Sequence, residues 1–129
     1  MKATELMIGD YVLVKPSMML IKVAAVHHKK VGYHAVTHKL NWVRMDLEEP
    51  IPLTAEILER NGFEYTDAWA EWWHRSEDGF GSDFQLSITE SGFSMKDIGN
   101  AKINFVHQLQ HALRLCGLDE LADNFKLEE

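Results

Sequence analysis

His107 and His111 stand four residues apart in Phe105–Leu113, a stretch with helical periodicity. Both imidazoles therefore project from one side, at the spacing that metalloprotease helices use for zinc. The sequence between them is Gln-Leu-Gln. The glutamate that would act as general base is absent, and Arg114 falls on the same face and repels a cation. A metal-dependent hydrolase on His107 and His111 is thus a remote reading, and no catalytic residue is assigned. The plainer role for one of these histidines is a hydrogen bond that orients the helix against the N-terminal part.

His27, His28, His34 and His38 form a second group. Imidazoles on neighbouring strands can converge on a metal. Adjacent His27 and His28 point to opposite faces of a continuing strand, so at most one joins a given site. No carboxylate is interleaved with them, and a solvated basic edge is the simpler expectation.

Charge is divided along the chain. The whole carries 13 Lys or Arg and 20 Asp or Glu, net −7. Residues 1–45 hold seven basic and two acidic residues, net +5, and the remainder holds six and eighteen, net −12. Lys22, Lys29, Lys30, Lys39 and Arg44, with Tyr33 and Trp42, supply cations for phosphates and rings for stacking. Nucleic-acid binding through this basic part is one expectation. The competing one is internal, with the basic part facing the acidic part or that of a second copy.

Trp69, Trp72 and Trp73 are the richest apolar cluster. Such clusters belong to a core, unless exposure makes them anchors for a protein partner. Cys116 falls on the apolar side of its helix and reads as a buried small hydrophobe. Glu48 and Glu49 read as solvated, since adjacency alone makes no acid–base pair.

These residues need elements to position them. Tyr11–Val14 is β-branched and aromatic and stops at Lys15-Pro16. Met19–Val26, Val31–Val36 and Trp42–Leu47 complete four short strands, with Val43, Met45 and Leu47 on one apolar face. Four strands in so short a stretch predict a small bent barrel. Glu48–Leu53 is a stiff proline connector. Thr54 caps a helix that ends at Asn61-Gly62, and Phe63 packs back on it. Ala68–His74, Phe84–Ile88 and Phe93–Met95 read as a three-stranded meander, with turns at Glu77-Asp78-Gly79, extended through Phe80-Gly81-Ser82, and at Glu90-Ser91-Gly92. Asp97–Ala101 is a loop. Phe105–Cys116 is an amphipathic helix with Phe105, Val106, Leu109, Ala112, Leu113 and Cys116 on its apolar arc and His107, Gln110, His111 and Arg114 opposite. Leu118–Phe125 carries a further short helix.

The composition sets bounds. The 129 residues suit one domain or two small lobes. Hydrophobic content of 46% argues against disorder. A single cysteine excludes an internal disulfide and a Cys-rich zinc site. No apolar run approaches the roughly 20 residues of a membrane span, and no signal-peptide core opens the chain. A cytoplasmic protein with no cofactor is expected.

Three stretches occur in order: MKATELMIGDYV (1–12), EPIPLTAEILERNGF (49–63) and FVHQLQHAL (105–113). In them the chain resembles a family of small, uncharacterised proteins carried in prophages and other mobile elements of gut anaerobes. The match is loose in the middle of the chain. The resemblance implies a setting and a shape, a small barrel followed by an α+β part, and no activity. The combined expectation is an α+β protein: an SH3-like barrel over residues 1–53, then a helix, a β-meander and a C-terminal helix over 54–129, packed as one unit. Its expected role is a non-enzymatic binding or adaptor module with a protein partner or self-association, and no membrane.

Overall fold

The computed structural model describes residues 5–34, 39–67, 70–75, 82–89, 92–95 and 101–127. His38, Trp69, the turn expected at Glu77-Asp78-Gly79, Phe80 and Gly81 after it, Glu90-Ser91, and residues 97–100 of the expected loop lie outside them.

The fold is mixed α+β, and every strand pairing among the described residues is antiparallel. The chain runs through β1 (Tyr11–Val14), β2 (Met19–Lys22), β3 (Ala25–His27), β4 (Lys30–His34), β5 (Leu40–Arg44) and β6 (Glu48–Glu49). It continues with α1 (Ala55–Arg60), β7 (Phe63–Thr66), β8 (Glu71–Arg75), β9 (Ser82–Thr89), β10 (Gly92–Met95) and β11 (Ala101–Ile103). Two helices, α2 (Val106–Leu115) and α3 (Asp119–Asp123), complete it.

The N-terminal strands do not close. They form two open three-stranded sheets, β2-β1-β6 and β3-β4-β5, with no closed barrel among the described residues. Two local breaks explain this. The apolar run from Met19 divides at Val23-Ala24, so β2 and β3 join different sheets. The run from Trp42 leaves the strand at Met45, where Met45–Leu47 turns in a 3-10 helix. The expected inner face survives the break, with Met45 buried and Val43 and Leu47 packed on it.

The second half is a five-stranded meander in the order β11-β10-β9-β8-β7. Three of its strands were anticipated. Phe63 does not simply fold back on α1. It starts β7, with Phe63 opposite His74 on β8. Ala101 is the first residue of β11 rather than the end of a loop. Ser82, taken as turn, begins β9.

Local rules hold well in α1. Thr54 Oγ1 accepts from Ile57 N at 3.3 Å, and Gly62 at φ 83° ends the helix. The start of α2 is fixed by Gln108, whose Oε1 accepts from Asn104 N at 2.8 Å and Phe105 N at 3.1 Å. The connector reaches this point too: Val106 N donates to Ile51 O at 2.8 Å.

The described residues form two apolar cores. Sixteen buried residues, among them Leu58, Phe63, Trp72, Leu86, Leu109 and Leu113, lie between the large sheet and the helices. Seven, including Val12, Ile21, Val31 and Met45, hold the N-terminal sheets together. The wall between them is β1. Side chains alternate along a strand, so Val12 and Val14 enter the small core while Tyr11 and Leu13 pack on the large one.

Candidate functional site

The polar side of α2 is not a solvated face. His107 and Gln110 are buried, and His111 and Arg114 are half-buried. They meet the turn before β1, where Asp10 is wholly buried. Asp10 Oδ2 accepts from Met7 N at 2.8 Å and lies 2.5 Å from His111 Nε2. Its Oδ1 accepts from Arg114 Nη1 at 2.8 Å. Gln110 bridges the same seam, donating to Gly9 O and Ala122 O and accepting from Tyr11 N. Gly9 is required here: its φ is 97°, and a Cβ would come within 2.7 Å of Arg114 Nη2.

This seam disposes the histidine pair. The rings of His107 and His111 are edge-on with centroids 5.7 Å apart. One nitrogen of His111 is committed to Asp10, and Arg114 shares that carboxylate. Among the described residues no three His, Cys, Asp or Glu come together as a metal site. Cys116 ends α2 and is exposed, a correction to its expected burial. The helix finishes there, beyond Leu113, the last buried residue of its apolar arc.

The second histidine group does not converge. His27 and His28 are in ring contact at 4.2 Å. His27 is held below the usual histidine range by desolvation first, then by His28, Lys30 and Lys29. His27 pairs with Lys30 at one end of β4, and His34 lies at the other end, about 13 Å along the strand.

The basic and aromatic residues are also divided. Gly32 faces Trp42 and Lys30 faces Arg44 across β4 and β5, so Lys30, Trp42 and Arg44 share the outer face. Lys30 Nζ lies 4.8 Å from the Trp42 ring centroid. Tyr33 is on the inner face, packed on the small core. Lys22 Nζ is turned to Asp123 O at 2.7 Å, and Arg44 pairs with Asp46 at 2.6 Å. Lys29 and Lys39 are exposed, with no ion pair among the described residues. The expected covering of basic by acidic residues is inverted at the seam. There the N-terminal part supplies the carboxylate, Asp10, and the C-terminal part the cation, Arg114.

Trp72 is buried beside Tyr65 in the large core, so it presents no surface to a partner. Trp73 is half-buried and its indole donates to Glu71 at 2.8 Å. Trp42 is the exposed tryptophan among the described residues.

The sequence does not single out an open apolar groove. A groove of about 870 Å³ runs beside β2, lined by Ile8, Met19, Leu20, Ile21, Tyr33 and His34 among others. Ile8 is 67% exposed, and Met19 and Leu20 are exposed too. Among the described residues β2 is the edge of its sheet, so one row of its backbone groups has no strand partner there. Exposed apolar residues in the Met19–Leu20 run were a signal available in the sequence, but they read equally as core.

The chain matches no family model, no curated protein and no solved structure. Among the described residues no helix is long and apolar enough to cross a membrane.

Proposed function

We propose that the chain is a non-enzymatic binding module, acting in the cytoplasm within a mobile element, whose partner is a protein. The partner lays an extended, apolar segment into the groove beside β2. The observation that carries this reading is the conjunction of exposed Ile8, Met19 and Leu20 with an unpaired strand edge. Main-chain bonds to an edge strand give affinity, and pockets for alternate side chains give selectivity. The mobile-element setting is supported by the resemblance of the three sequence stretches. We read the two small sheets, packed on one core, as an opened SH3-like unit. The test is co-purification from the native host with the wild type and with Leu20→Asp. A specific partner should be retained by the first and lost from the second. Retention of the same partner by both sinks the reading, and a dimer dispersed by Leu20→Asp makes the partner a second copy.

A second reading is nucleic-acid binding on the outer face of β3-β4-β5. It is favoured by Lys30 and Trp42, which share that face, and by the exposed Lys29 and Lys39 at the ends of β4 and β5. Trp42 fluorescence in a titration with single-stranded DNA or RNA should then show binding that weakens as salt rises. A metal-dependent hydrolase on His107 and His111 has the least support, and metal analysis of untagged protein tests it directly.

A further inference from the structure

Two buried residues leave polar atoms without partners at one place in the molecule. Both carboxylate oxygens of Glu48 and Nδ1 of His107 are buried and make no hydrogen bond among the described residues. Glu48 is 3% exposed and His107 is 4% exposed. Glu48 was expected to be solvated, but its strand pairs with β1, Glu48 opposite Val14, and turns it inward. The two residues come from β6 and the first turn of α2 and line one cavity of about 280 Å³. An unmet buried acceptor costs about 1–3 kcal/mol, and more when charged. The walls of one small cavity thus hold three unpartnered atoms, the two carboxylate oxygens as acceptors and Nδ1 as acceptor or donor according to its tautomer.

The remaining walls define the donor. Lys15 is engaged with Glu49 at 2.6 Å, and Asp46 with Arg44. Glu5 adds a further carboxylate. The cavity is therefore electronegative and excludes anions. Pro50 and the Phe105 ring give an apolar side able to cover methylene groups or face a cation. Zinc takes three or four protein donors, and no such group gathers among the described residues. An ammonium group needs only acceptors for its three N–H bonds.

We propose that this cavity binds an alkylammonium group, carried by a small free amine or by a lysine side chain, with Glu48 and His107 Nδ1 accepting its hydrogens. Burial holds Glu48 up at about 7 against the opposing pull of the chain's own α-ammonium, and burial holds His107 below the usual histidine range against Asp10 and Glu5, with His111 adding to the lowering. A bound cation lowers Glu48 toward the ordinary carboxylate range, so binding near pH 6 releases a proton.

The experiment titrates the full chain with n-butylamine, with n-butanol as its neutral counterpart, with Nα-acetyl-lysine methylamide, and with zinc. Amide chemical shifts near Glu48 and His107 and the melting temperature are the readouts. Butylamine should give saturable shifts and raise the melting temperature, and butanol should give neither. Response to the lysine derivative as well assigns a protein lysine, and response to butylamine alone assigns a small amine. Glu48→Gln should weaken amine binding at least tenfold. Should that variant unfold, the wild type at pH 5 serves instead, where binding should be at least tenfold weaker than at pH 8. Equal shifts with butanol, saturation by zinc alone, or no saturable shift with either amine overturns the proposal.

Discussion

The two halves of the molecule solve the same problem with unequal means. The C-terminal half covers its five-stranded sheet with helices and buries sixteen apolar residues in one cluster. The N-terminal half divides its strands between two short sheets around seven. It leaves Ile8, Met18, Met19, Leu20, Leu40 and Trp42 exposed. A small domain with so little core is marginal alone. Here it borrows stability across the seam, where Asp10, Gln110 and Arg114 meet. The lesson is a division of labour: one half supplies cohesion, and the other keeps apolar surface and a strand edge open.

Mutations can break this contrast. Leu109→Ala in the large core should destabilise the whole chain by about 4 kcal/mol, visible as a lower urea midpoint for every probe. Asp10→Ala removes the anion between His111 and Arg114 and should lose about 3 kcal/mol. If the contrast is sound, hydrogen exchange will show β1–β5 losing protection while β8 and β9 keep theirs. Uniform loss would mean that the halves are a single cooperative unit.

Ionisation at the seam sharpens the comparison. Glu48 is raised by burial from 4.5 to about 7. Its contribution to stability is therefore complete below pH 4.5 and lost as pH rises toward 7. Glu48→Gln should stabilise the protein above pH 7 by on the order of 1–2 kcal/mol, and leave it unchanged near pH 4. His107 acts in the opposite sense. Burial lowers its pKa, so its contribution is present above the ordinary histidine value and is lost on acidification. Thermal melts from pH 4 to 8 separate the two. The smallest effect is expected in the groove: Leu20→Ser should move stability by no more than about 0.5 kcal/mol, while reducing partner binding measured on the same protein.

Much of the fold was legible where a local rule governs it. Thr54 and Gly62 bound α1 through their own chemistry, and the alternation of Phe84, Leu86 and Ile88 marks β9, the last of them outward. The α+β class followed from such units. The site was less legible, because burial of a polar group depends on a distant partner. Periodicity puts Gln110 and His111 on the polar side of α2, with a histidine bond to the N-terminal part as the expected role there, but that its partner is a buried Asp10 about a hundred residues earlier is not in the pattern. Glu48 looks like half of an exposed acidic pair until its pairing with β1 turns it inward. Strands β7 and β11 were missed because their residues, Phe63–Thr66 and Ala101–Ile103, take strand form from neighbours rather than from pattern.

The bond between Asp10 and His111 spans 101 positions of the chain. That separation has a consequence for synthesis. At about 5–20 residues per second, roughly 5–20 s pass between the emergence of Asp10 and that of the residues that neutralise it. Through that interval β1 has its inner partners within reach but lacks the surface for Tyr11 and Leu13. The nascent chain thus holds an unfinished strand wall, and α2 is the helix that completes it.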